Sequence, residues 1–213
     1  MENNREIFLI LSSTPTRFAK CIRIFGRVRY NHASIGLDDR LSEVYSFARP
    51  QQSSVFLGRL VRESLERYTL KRKSPVPIVV FRLSVSEEEY RWVKSTIHRI
   101  QNDPEYMYNL FSVLSYPLFR GFSTYKAYSC IEFVTYILKH LNYNISKPYY
   151  KYVPDDLLRM FPDKIVYVGD VRGIMSKADF DDVYFKPMTK RMFAANVSAM
   201  FKIMGRSVFA RGC

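Results

Sequence analysis

The sequence predicts an α+β fold in which a small antiparallel sheet packs against a helix whose N-terminus carries a cysteine. Short apolar runs at residues 7–12, 33–37, 43–47, 76–83 and 164–168, bounded by turn residues, have the length of strands. Between them lie amphipathic stretches. The clearest begins at Cys130, where Ile131, Val134, Ile137, Leu138 and Leu141 recur at the three- and four-residue spacing of a buried helical face. The 213 residues are 47% hydrophobic and 25% charged, an ordinary globular balance with room for one sizeable core.

Residues 7–12 (IFLILS) are apolar throughout, which predicts a strand buried on both faces. Thr14-Pro15 starts a helix with proline at the first helical position. Phe18, Cys21, Ile22 and Phe25 follow at helical spacing, which places Cys21 in the core, and Gly26 closes the segment. Residues 33–37 and 43–47 flank the polar turn Asp38-Asp39-Arg40 and form an antiparallel hairpin. His32 stands at the entrance of its first strand and Glu43 at the entrance of its second. Residues 49–68 mix polar loop with a short amphipathic run at 56–65. Lys71-Arg72-Lys73 is a solvated basic turn.

Residues 76–83 predict another strand, with Pro77 marking a strand start or a sheet edge. Ser86 and Glu89 form a capping box that opens a helix to about Ile100. Trp92, Val93, Thr96 and Ile100 line its buried face, and Asp103-Pro104 stops it. The aromatic-rich stretch 106–122 predicts a helix plus loop forming one wall of a cleft, with Leu110, Phe111 and Leu114 in the core. In the cysteine helix Ser129 is the N-cap, and Glu132 is a first-turn charge stabilised by the helix dipole. His98 and His140 fall on helical surfaces with no partner in sight. Pro154-Asp155-Asp156-Leu157 begins a short helical turn, and residues 164–168 form the last strand.

This organisation gives a domain over residues 1–188 and a basic amphipathic helix over 189–213. In the latter, Met192, Phe193, Val197, Met200, Phe201 and Met204 alternate with Lys190, Arg191, Lys202 and Arg206. Such a stripe either packs onto its own domain, the commoner case, or lies on an anionic membrane surface.

The 33 Lys and Arg against 20 Asp and Glu give a formal charge of +13, which implies attraction to an anionic partner. No nucleic-acid motif accompanies the charge, and the basic residues are spread along the whole chain, so no specific nucleic acid is expected. Cys21, Cys130 and Cys213 have neither metal-ligand spacing nor an even disulfide count, so no metal or cofactor is expected and the thiols belong to a reducing compartment. The N-terminal residues lack the pattern of a signal peptide, and no stretch approaches the ~20 apolar residues that span a bilayer. The expected location is cytoplasmic, peripheral to a membrane if the basic tail engages one.

A cysteine at a helix N-terminus feels the positive end of the helix dipole, which favours the thiolate nucleophile. It still needs an imidazole to take its proton and a third polar group to orient that imidazole. His32 and Glu43 are the candidates, with Asp38 and Asp39 competing for the third position.

Taken in order, Tyr30-Asn31-His32-Ala33-Ser34-Ile35-Gly36-Leu37, Glu43-Val44-Tyr45-Ser46-Phe47 and Tyr128-Ser129-Cys130-Ile131-Glu132-Phe133 reverse the papain order, in which the cysteine helix comes first. The chain thus resembles the circularly permuted NlpC-like branch of the papain-like superfamily, which includes the lecithin retinol acyltransferase group. The resemblance covers roughly residues 5–170. It implies a thiol peptidase, amidase or acyltransferase with a papain-like fold and a catalytic triad of Cys130 as nucleophile, His32 as general base and acid, and Glu43 as orienting residue. The backbone N–H of Cys130 would then help form an oxyanion hole, with Tyr128 and Ser129 beside the substrate. Peptides or acyl lipids are the implied substrates. A non-catalytic module that binds an acidic surface, anionic lipid or nucleic acid, is the alternative from charge.

Overall fold

The computed structural model describes residues 4–16, 19–20, 23–24, 27–54, 56–119, 121–177, 179–180 and 182–209. The helix expected over Phe18–Gly26, with Cys21, lies largely outside these residues, as does Cys213.

The architecture is α+β. Strands β1 (Arg5–Ser12), β2 (His32–Gly36), β3 (Val44–Ala48), β4 (Arg59–Arg62), β5 (Pro77–Val85) and β8 (Ile165–Asp170) form a six-stranded antiparallel sheet in the order β4-β3-β2-β1-β5-β8. β1 lies inside it with both faces covered, which is why its sequence does not alternate. Ile7, Leu9 and Leu11 enter one core with Val79, Phe81 and Leu83 of β5; Phe8 and Ile10 enter the opposite core with Ile78 and Val80. Pro77 opens β5, which is flanked by β1 and β8, so it marks a strand start rather than an edge.

The helices are α1 (Leu65–Thr69), α2 (Glu87–Asn102), α3 (Leu110–Phe119), α4 (Cys130–His140), α5 (Pro154–Met160) and α6 (Lys190–Phe209). α2 opens on the capping box of Ser86 and Glu89. It buries Tyr90, Val93, Thr96, Ile97 and Ile100, whereas Trp92 is only half-buried. α4 packs across β2 and β3, with Phe133 against Phe47 at 5.6 Å between ring centroids. α1 sits on the other face, where Tyr68 is fully buried. A short parallel pair, β6 (Met107–Tyr108) and β7 (Ala127–Tyr128), leads directly into α4.

Three sequence expectations need correction. Residues 59–62, assigned to a loop and amphipathic run, are strand β4, paired with β3 from Tyr45↔Arg62 to Ala48↔Arg59. Leu114 is 53% exposed rather than in the core, because it faces the cleft that α3 walls. His140 has a partner, since its ring stacks on Trp92 with centroids 3.4 Å apart, and His98 hydrogen-bonds the Asn102 amide at 3.1 Å.

Gly58 ties the two sheets together. Its carbonyl accepts from the Tyr108 N–H at 2.8 Å, and a Cβ built on it would lie 2.2 Å from the Tyr108 Cβ. A methyl group there forces β6 away from β4. Gly58→Ala is expected to cost about 1–3 kcal/mol in a urea melt, the range for overpacking. A variant of wild-type stability would show that this close approach is not a constraint.

Candidate functional site

His32 opens β2 opposite Ser12 of β1. The chain entering it is fixed by Asp155 of α5, whose carboxylate accepts from the Arg29 N–H at 2.9 Å and the Tyr30 N–H at 3.1 Å. The neighbouring Asn31 amide donates to Thr14 Oγ1 at 2.8 Å. These bonds hold the histidine at the strand end, away from the tight pairing further along β2.

Cys130 is the first residue of α4, and the helix start around it is fully capped. Ser129 Oγ accepts from the Glu132 N–H at 3.3 Å, and Glu132 Oε2 accepts from the Ser129 N–H at 2.7 Å. Ser129 Oγ thus serves as the helix cap. The Cys130 N–H is one of the first-turn donors that have no helical partner.

The His32 ring lies between a sulfur and a carboxylate. Its Nε2 is 2.9 Å from Glu63 Oε1, and Cys130 acts on the same ring through hydrogen bonding and charge. With Nε2 on the carboxylate, Nδ1 is the nitrogen left for the sulfur. Burial alone would lower the imidazole pKa; hydrogen bonding and charge from Cys130 and Glu63 outweigh it and push the value up to about 10. The ring is therefore an imidazolium at neutral pH.

The carboxylate on His32 is Glu63, not Glu43, and the reason is register. Leu37 and Glu43 meet at the turn end of the hairpin, with the Leu37 N–H donating to the Glu43 carbonyl at 2.9 Å. His32 lies five residues back along β2, about 16 Å at strand rise. Asp38 is occupied at the same turn, accepting from the Ser42 and Glu43 N–H groups at 2.9 and 2.7 Å. Glu63, just past β4, crosses β3 to reach the imidazole, and the Ser46 hydroxyl of β3 donates to it on the way.

Glu63 is buried and multiply held. Arg67 Nε donates to its Oε2 at 2.9 Å, and the Arg67 guanidinium also meets Asp182 at 3.4 Å and lies over the Tyr184 ring at 4.4 Å. Burial would raise the Glu63 pKa; Arg67, His32 and Ser46 reverse that and bring it down to about 2.

Beside this row lies a cavity of about 400 Å³, lined among others by His32, Glu63, Phe47, Tyr68, Tyr108 and Leu114. Burial raises the Tyr68 and Tyr108 hydroxyls well above the ordinary phenol value, and the charge of Cys130 adds to both. These two phenols, neither of them singled out by sequence motifs, remain protonated donors near the sulfur. Tyr128, expected there, instead packs its ring against Tyr106, Tyr136 and Phe47, with centroids 6.1, 5.6 and 5.6 Å away. Arg49 and Arg67 also line the cavity, so cations stand beside the apolar side chains of Phe47, Phe56, Leu110 and Leu114.

Glu132 is more than a dipole-stabilised charge. It is buried at the helix start with the Asn109 amide at 3.3 Å, and burial lifts its pKa to about 7 against the opposing hydrogen bonds from Ser129 and Asn109.

The pH dependence of stability follows. His32 has an ordinary value of 6.5, so its stabilisation is full below pH 6.5 and is lost as pH rises towards 10. Glu63 has an ordinary value of 4.5, so its contribution is full above pH 4.5 and is lost as pH falls to about 2. Urea melts of the wild type are expected to weaken between pH 6.5 and 10, and His32→Ala to flatten that slope. Glu63→Ala, which strands Arg67 in the interior, is expected to cost about 3–5 kcal/mol, whereas Glu43→Ala costs under about 1 kcal/mol. Equal losses in the two variants would contradict the assignment.

Comparison with known proteins gives no match: no family model, no curated protein and no solved structure is significantly similar to the chain.

Proposed function

We propose that the chain is a cysteine-dependent acyl-transfer enzyme, a hydrolase or acyltransferase acting on an amide, ester or thioester, built on a permuted papain-like (NlpC-type) fold. One observation carries the reading. A largely buried histidine bridges a cysteine at a capped helix N-terminus and a carboxylate that is itself held by an arginine. Ordinary core packing has no use for three buried ionisable groups in a row, whereas a nucleophile with its base and orienting acid needs that order.

In this reading the Cys130 thiolate attacks the carbonyl carbon, forming the C–S bond while the carbonyl π electrons move to oxygen. The Cys130 N–H, at the positive helix end, stabilises the oxyanion. His32 gives its proton to the leaving nitrogen, oxygen or sulfur as the tetrahedral intermediate collapses to a thioester. The neutral imidazole then takes a proton from water or another acceptor as that group attacks, and the thiolate is regenerated. Glu63 keeps Nδ1 of the ring aimed at the sulfur throughout and stabilises the imidazolium. Phe47, Phe56, Leu110 and Leu114 in the cavity lining would receive an acyl group of the substrate.

The test is trapping of the acyl-enzyme. Incubation with p-nitrophenyl acetate and a longer-chain ester is expected to add one acyl mass to the peptide containing Cys130, with a burst of p-nitrophenol. Cys130→Ser and His32→Ala should abolish the burst, and Glu63→Gln should slow it by about 10²–10⁴, the range for loss of positioned acid–base chemistry. A wild-type protein without an acylated Cys130 would favour the non-catalytic binding module.

A further inference from the structure

We infer that the outward face of α6 is a docking surface for an anionic lipid bilayer. The helix has two dissimilar faces. Its inner face is fastened to the body: Asn196 Oδ1 accepts from the Phe56 and Leu57 N–H groups at 2.9 and 3.0 Å, and Ala199 and Ile203 are buried against Met107 and Ala127. Arg206 completes the attachment through the Glu105 carbonyl at 2.7 Å. The helix is thus held in one orientation.

That orientation turns large apolar side chains to solvent. Phe193 is 61% exposed, Phe201 58% and Met204 45%. At 100° per residue these three fall within one 80° arc, with half-buried Val197 between them. Lys190 lies on that arc, and exposed Arg191 and Lys202 lie about 80° and 100° beyond its Phe201 edge. α3, which packs against α6, also carries the exposed Leu114, which lines the cavity beside His32.

Charge selects the occupant. From Val183 to Cys213 the chain has six Lys and Arg and not one Asp or Glu. A second copy would bring an identical cationic helix against this one, on a chain of formal charge +13. An anionic bilayer accepts both features, because phenylalanine and methionine enter the headgroup–acyl boundary while lysine and arginine meet lipid phosphates. No helix among the described residues is long and apolar enough to cross a membrane, so the contact would be peripheral. This inference rests on α6 alone and does not depend on acyl-transfer chemistry.

The experiment is flotation of the full chain with vesicles of phosphatidylcholine alone and of phosphatidylcholine containing roughly one-third phosphatidylglycerol. The protein is expected to float only with the anionic vesicles, and to be released by high salt. The double variant F193D/F201D should lower partitioning by about tenfold or more, and K190E, R191E and K202E each by about fivefold. All of these side chains are exposed, and circular dichroism checks that each variant is folded. Absence of flotation with anionic vesicles would overturn the proposal, as would binding indifferent to F193D/F201D. A concentration-dependent dimer in sedimentation velocity, dissolved by F193D/F201D, would overturn it in favour of a second copy.

Discussion

The buried carboxylate of Glu63 is the constraint on which the site depends. Placing a lone carboxylate in the interior costs several kcal/mol, so it persists as a charge only where cations and donors surround it. Arg67 comes from the next turn of chain, Ser46 from the neighbouring strand and His32 from the strand beyond. Satisfying one oxygen pair therefore fixes β4, α1 and β2 relative to one another. Arg67 extends the network to Asp182 and Tyr184, which ties down the segment before α6 as well.

Against this histidine the protein sets a fully capped helix start. Both ends of the capping box at Ser129 and Glu132 are satisfied, and Asn109 braces Glu132 from the strand that precedes α3. The Cys130 backbone is thereby held at the positive helix end, while β6 and β7 anchor the approach through Gly58. The cavity lies beside His32, with phenols on its walls and the exposed, apolar Leu114 among its lining.

Local signals in the sequence expose some of this and conceal the rest for physical reasons. The unbroken apolar run of β1, the capping box at Ser86, the N-cap at Ser129 and the hairpin turn at Asp38 are properties of neighbouring residues, and the structure has each of them. Cys130 and His32 were legible as chemistry because residue type and position on an element mattered more than partner. Glu63 was not. Arg62-Glu63-Ser64 looks like solvated loop, and its meeting with His32 spans two strands and 31 residues. The available clue was the i,i+4 pairing with Arg67 just after the apolar Leu60-Val61, which marks a strand running into a helix. Glu43 lost because an antiparallel hairpin sends its second strand back towards the first one's start. The entrances of the two strands therefore lie at opposite ends. The Trp92–His140 stack joins two helices and likewise leaves no trace in either segment.

The most direct test of the central claim is the rate at which iodoacetamide alkylates Cys130 near pH 6, followed by mapping of the modified peptide in wild type, His32→Ala and Glu63→Gln. An ordinary thiol with a pKa of about 8.5 is almost wholly protonated there and reacts slowly. The proposed thiolate–imidazolium pair predicts rapid alkylation in the wild type, a loss of about tenfold or more in His32→Ala, and an intermediate rate in Glu63→Gln. A slow rate that is the same in all three proteins would contradict it.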